Sequence, residues 1–159
     1  MKRNLPFLPF ATTALFVISI VTLLIWLAKS DGVIVTTKGN STQTPTQMKV
    51  GVYEDSDCKM VINDLKDASQ VISNDGQSWF FHDHGGMVKW LSAKELVGAK
   101  IWVMSRDTHR WVEAKDSYFS VDDKTAMGYG FGAYEHNSSK RVDFDTMRLR
   151  MLRGETLLN

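Results

Sequence analysis

Residues 68–82 read ASQVIS-NDG-QSWFFH. Two β-prone runs flank Asn74-Asp75-Gly76, a tripeptide whose residues tolerate the positive φ of a tight turn, so the stretch predicts a β-hairpin. Working outward, GGMVKWLSAKEL at 85–96 places Met87, Val88, Leu91 and Leu96 near helical spacing, with Gly98 as the stop. KIWVMS at 100–105 reads as a strand, RDTHR at 106–110 as a turn, and WVEA at 111–114 as another strand or a short extension. Strand, strand, helix and strand thus follow one another.

A second pattern of the same kind follows. YFSV at 118–121, a turn at 122–124 and AMGYGFGAYE at 126–135 read as a hairpin. Residues 137–139 form a loop or a short cap, and 142–144 a brief strand. Residues 145–153 read as a helix, with Asp145 as N-cap and Gly154 just past the end. Strands and helices mixed with short connections predict an α+β domain of two successive ββαβ-type units.

The chain begins differently. Leu5 to Ala28 is a run of 24 residues without a charge. About 20 apolar residues as a helix cross a bilayer core, whereas the apolar region of a signal peptide is about 7–15 residues long. Residues 1–29 are therefore expected to be a single N-terminal transmembrane helix that is retained. Lys2 and Arg3 precede the span, which places the N-terminus in the cytoplasm and the rest outside. In a bacterium that is a single-pass inner-membrane protein with its C-terminal domain in the periplasm. Residues 30–50, rich in Thr, Gln, Ser and Gly, read as a flexible linker. Residues 51–159 are the expected folded domain, a common domain size.

Residues 1–50 carry five Lys/Arg and one Asp, and residues 51–159 carry 14 Lys/Arg and 17 Asp/Glu. The folded part is mildly acidic, which argues against nucleic acid as a partner. No Ser-His-Asp order, phosphate loop or HExxH appears in the sequence.

One cysteine, Cys58, allows no internal disulfide. It stands in DCKMVI at 57–62, two residues from Met60. Thiolate and thioether are soft ligands that select Cu(I). In an extended segment both sulfurs point the same way. Glu54, Asp55 and Asp57 make the approach read as solvated rather than as a core strand. Met127, among alternating glycines in TAMGYGFG, is the candidate third donor, weighed against an ordinary core methionine. His82-Asp83-His84 is a competing metal motif; an exposed turn with Asp83 starting a helix is the preferred reading. Most of the aromatics read as core.

DCKMVI, WFFHDHGGMVKW, IWVMSRDTHRWVEAKDSYFSV and TAMGYGFGAY together resemble the NosL family, over about residues 53–152. These are copper-binding accessory proteins of nitrous oxide reductase, with a fold akin to organomercury lyase. The resemblance implies a pair of ββαβ units and Cu(I) held by Cys58, Met60 and Met127. It implies a periplasmic metallochaperone, not an enzyme, that hands copper to nitrous oxide reductase or its assembly factors. Departures are Lys59, where the family commonly has glycine between Cys and Met, Gly86, where a cysteine often stands, and the anchor in place of a lipobox cysteine. A non-metal interaction module with a structural or intermolecularly paired Cys58 is the alternative. A lyase activity is disfavoured because carbon–mercury cleavage needs more than one thiol.

Overall fold

The computed structural model describes residues 7–28 and 32–158. It divides into two units at Gly32. The first holds one helix, α1 (Phe7–Ala28), with no charged residue in its 22 positions. Leu15, Phe16, Ile18, Leu23 and Trp26 are all exposed, so apolar side chains ring the helix. Among the described residues no helix is long and apolar enough to cross a membrane. The side chains described on α1 run only from Ala11 to Trp26, 16 residues, fewer than a bilayer core requires, and the expected span begins at Leu5, outside the described residues.

The second unit is a small mixed α+β domain with two antiparallel sheets. Its elements are β1 (Thr36–Thr37), β2 (Ser69–Ile72), β3 (Ser78–Phe81), α2 (His84–Ser92), β4 (Lys100–Met104), β5 (Trp111–Glu113), a 3₁₀ turn (Ala114–Asp116), β6 (Tyr118–Phe119), β7 (Ala133–Tyr134), β8 (Val142–Asp143) and α3 (Phe144–Leu152). The larger sheet runs β1-β3-β2-β4-β5 and the smaller β7-β6-β8. The hairpin forms as the sequence predicts. Gly76 takes φ +80°, its N–H donates to Ser73 at 2.9 Å, and Val71 faces Trp79 across β2 and β3.

β3 explains the layering. Successive strand residues point to opposite faces, and Trp79-Phe80-Phe81 is apolar throughout, so both faces of the sheet must be covered. Phe81 packs with Val71, Met87, Val103, Phe119 and Met147 in the main core. Phe80 lies on the other face with Met48, Tyr53 and Ile62. Both phenylalanines are completely buried.

That second face corrects the expected linker. From Val33 onward the chain belongs to the domain. β1 pairs with β3, Thr36 opposite Trp79. Gln43 Nε2 donates to the carbonyls of Ile72 and Gly98, and Trp102 Nε1 donates to the Gln43 carbonyl at 2.8 Å. Thr46 and Gln70 exchange two hydrogen bonds of 2.9 and 2.8 Å. Met48 is buried over Phe80. The segment lacks hydrophobic periodicity because it is held mainly through amide, indole and main-chain hydrogen bonds.

Other expectations shift. Elements β2, β3, α2 and β4 follow the ββαβ order, but the second group runs β6, β7, β8, α3, with no closing strand among the described residues. Met127 lies in a turn, not a strand, because Gly128 and Gly130 take φ +76° and +98°. Asp143, not Asp145, caps α3, accepting from the Thr146 N–H at 2.7 Å. Gly154 ends that helix with φ +73°.

Two glycines test the docked segment. Both have positive φ, where a side chain costs about 1–2 kcal/mol. A Cβ on Gly76 would sit 2.8 Å from the Asn40 backbone, whereas Gly39 has open space. Gly76→Ala is expected to lower stability in urea by at least about 1–2 kcal/mol more than Gly39→Ala. Equal losses would mean that residues 33–50 are not docked.

Candidate metal centre

Cys58 sits at the end of a tight turn built on Asp55. This carboxylate is 2 % exposed. Its Oδ1 accepts the Asp57 N–H at 2.7 Å and the Cys58 N–H at 3.0 Å, an Asx-type turn. Its Oδ2 accepts the His82 N–H at 2.8 Å and faces His82 Nδ1 at 2.6 Å. The backbone closes the same loop, with the Asp55 N–H donating to the Met60 carbonyl and the Lys59 N–H to the Asp55 carbonyl. Asp55 therefore ties the Cys58 turn to the end of β3. The expected solvated approach is corrected: Asp55 is buried, because four hydrogen bonds replace its water.

Cys58 is half-buried, and its Sγ lies 3.7 Å from His82 Nδ1. One ligand atom each from Asp55, Cys58 and His82 lies within 4.8 Å of the others. Lys59 has φ +66°, the left-handed region that favours glycine. Cys58 and Met60 are thus not alternate residues of an extended strand. Met60 is 47 % exposed. Lys89 Nζ bridges to Asp57 at 3.1 Å beside the site.

The His82-Asp83-His84 motif divides. Asp83 is the N-cap of α2, as expected, its Oδ1 accepting the Gly85 N–H at 2.9 Å. The turn is not exposed, however: Asp83 and His84 are completely buried. His82 turns toward Cys58, while His84 stacks edge-on against Phe119 with neither ring nitrogen partnered among the described residues. The two imidazoles do not converge. Asp83 Oδ2 also accepts the Met127 N–H at 2.9 Å, which fixes the Met127 turn to the residue after His82. Tyr129 packs on Gly85, where a Cβ would meet its ring at 2.4–2.6 Å. The sequence reading missed Asp55 and His82 as partners of Cys58. The signal present was the polar N-terminal flank of Cys58 and an imidazole ending a buried strand.

Local electrostatics follow from these contacts. The Asp55 hydrogen bond raises His82 above its ordinary value, against the effect of burial. Burial would raise Asp55, but the bonds from His82, Cys58 and Asp57 outweigh it and the carboxyl ends below the ordinary range. Burial raises the Cys58 thiol, with the Asp55 and Asp57 charges adding to it despite the Met60 N–H. Burial pushes His84 down to about 4, with Arg106 assisting and Asp83 opposing.

A scan against family models finds no match, and a comparison with curated proteins finds no relative.

The two histidines should titrate in opposite directions. By NMR, His82 is expected to titrate above 6.5 and His84 near 4. A raised folded value makes the His82 contribution to stability complete below about pH 6.5 and lost as pH rises through its folded value. A lowered value makes His84 cost stability as pH falls from about 6.5 toward 4, where only the unfolded chain takes up the proton. A His84 that titrates with a free imidazole would contradict its buried placement.

Proposed function

We propose that this protein is a membrane-tethered Cu(I) carrier, with Cys58 the anchoring ligand and Met60 and Met127 the neutral sulfur donors. The observation that carries the reading is a thiol neither packed away nor disulfide-bonded, half-exposed beside a buried carboxylate and an imidazole. Buried structural cysteines are inert, whereas a thiol that takes up and passes on an ion must be reachable from solvent. Met60 is exposed next to it, as a donor that passes an ion onward by ligand exchange must be. Met127 is held by Asp83 at the neighbouring turn. The glycine-like φ at Lys59 is in keeping with the family's usual glycine there.

The resemblance to the NosL family supplies the client: nitrous oxide reductase or a related periplasmic copper enzyme, reached directly or through its assembly factors. The ββαβ order of β2 to β4 supports the family's fold for the first half. Helix α1, 22 residues long, rises about 33 Å, close to the thickness of a bilayer core. It is read as the single anchor of an inner-membrane protein with its domain in the periplasm.

The geometry argues against a thiol enzyme. A Cys-His-Asp relay needs nucleophile and carboxylate on opposite ring nitrogens. Here Cys58 and Asp55 both face Nδ1 of His82.

Cu(I) titration of the full-length protein against a chromophoric chelator tests the reading. Cys58→Ala is expected to weaken binding more than Met60→Ala. Because the thiol is protonated in the free protein and ionises on binding, affinity should fall about tenfold per pH unit below neutrality. Full Cu(I) affinity in both variants would refute the proposal.

The alternative is an interaction module joined through Cys58, which its partial exposure would allow. A non-reducing gel distinguishes the two. The carrier reading expects a monomer, and a quantitative dimer lost in Cys58→Ser would favour the alternative.

A further inference from the structure

Helix α3 is apolar on two sides. Phe144, Met147 and Met151 pack inward on the main core. Asp145, Arg148, Leu149 and Leu152 follow the i, i+3, i+4, i+7 spacing of a second stripe, and they line a surface cleft of about 320 Å³. Leu149 and Leu152 are 52 % and 49 % exposed. Arg148 also lines a neighbouring cleft of about 180 Å³, with Leu91, Lys94, Leu96, Ile101 and Phe144. Val97, next to Leu96, is 89 % exposed. An aliphatic side chain alone on a surface needs no explanation, but here several gather around two clefts joined by one arginine.

Charge marks the same patch. Residues 51–159 are acidic, with 14 Lys/Arg and 17 Asp/Glu, yet residues 144–153 hold three arginines and one aspartate. Arg150 and Arg153 each lie 3.9 Å from Glu155. Arg148 and Lys94 have no ion-pair partner among the described residues, and Lys94 Nζ sits 5.3 Å over the Trp90 ring. Of the residues lining the two clefts only Asp145 is acidic. Protruding aliphatic groups beside unpaired cations match a lipid surface, where apolar side chains reach below the headgroups and cations meet phosphate. Protein interfaces are anchored on aromatic residues, whereas Val97, Leu149 and Leu152 are all aliphatic. Lipid is also close at hand. Residues 29–32 alone separate α1 from the domain, and four residues reach at most about 14 Å. With α1 in the bilayer, so short a lead gives the domain a high effective concentration of headgroups.

We infer that the outer face of α3, with Lys94 and Val97, is a docking surface for an anionic lipid bilayer. Leu149, Leu152 and Val97 enter the acyl boundary, and Arg148 and Lys94 meet headgroup phosphates. This goes beyond the proposed function and takes from it only the reading of α1 as an anchor. Docking fixes the orientation of the domain. The Cys58 turn meets the first half of α2, where a Cβ on Gly86 would lie 3.9 Å from Asp57 Oδ2. Lys94 lies beyond the end of that helix. Lipid at the Lys94 end leaves the Cys58 end uncovered.

The test uses the full-length protein, methyl-labelled on valine and leucine, in nanodiscs of phosphatidylcholine with or without phosphatidylglycerol. Lipids spin-labelled near the headgroup end of the acyl chain should broaden the NMR signals of Val97, Leu149 and Leu152 in the anionic discs. Val50 and Val61, also exposed but in the segment across the sheet, should stay sharp, a comparison that needs no variant. Arg148→Gln and Lys94→Gln should each lower the ratio of docked to undocked protein about fivefold. Leu149→Ser combined with Leu152→Ser, both at exposed positions, should abolish the broadening. Omitting phosphatidylglycerol or raising salt should weaken it. Broadening equal at Val50 and Val97, or at neither, overturns the inference, and broadening indifferent to phosphatidylglycerol overturns the choice of an anionic lipid. Contacts between the Leu149 and Leu152 methyls of two copies, growing with protein concentration, would assign the face to self-association and overturn it too. If alkaline carbonate strips the chain from vesicles while the methyl pattern holds, the anchor reading fails and the docking surface stands.

Discussion

The Asp55 carboxylate is the interaction on which the site depends. It is almost fully buried, and a buried charge is tolerated only when its lone pairs are satisfied. Four contacts do this: the N–H groups of Asp57, Cys58 and His82, and the His82 ring. The first two shape the turn that presents Cys58, and the last two fasten that turn to the end of β3. A thiol on a surface loop thereby acquires a fixed distance to an imidazole. The strain at Lys59 belongs to the same construction, because the chain must reverse within a few residues for the Met60 carbonyl to meet the Asp55 N–H.

The rest of the domain keeps this turn in place. Phe80 and Phe81 bury opposite faces of one strand, so the sheet is covered on both sides. The second face is covered by Met48, Tyr53 and Ile62, which bracket the Cys58 turn in sequence. The site is therefore built on the cover layer and buttressed by the sheet. Asp83 serves two elements at once, capping α2 and holding the Met127 backbone. Arg106 makes the further link between the sheets: it pairs with the buried Asp67 at 2.6 Å and with Asp123 at 3.1 Å, and Asp123 accepts the Tyr134 hydroxyl.

The hairpin at Asn74-Asp75-Gly76, the helix after it and the strand at residues 100–105 were legible because turn chemistry and apolar period are local signals. So were the capping role of Asp83 and the stop at Gly154. Residues 33–50 were misread because their attachments are amide and indole side chains meeting backbone far away in the sequence. Gln43, for instance, reaches Ile72 and Gly98. Such bonds have no period. The Met127 segment was misread for another reason. Glycines at alternate positions fit a strand as well as a turn, and only the positive φ of Gly128 and Gly130 separates the two.

From the sequence by itself came the mixed α+β class, the charge-free first helix, the acidic folded part and the singling out of Cys58 as the residue with chemistry to explain. These follow from composition and from neighbours a few positions apart. Only the tertiary structure decided which groups surround that thiol. Asp55 and His82 are 27 residues apart, and nothing local links them. They meet because burying both faces of β3 brings the cover layer onto the sheet, and a carboxylate carried into that layer must find its hydrogen bonds there.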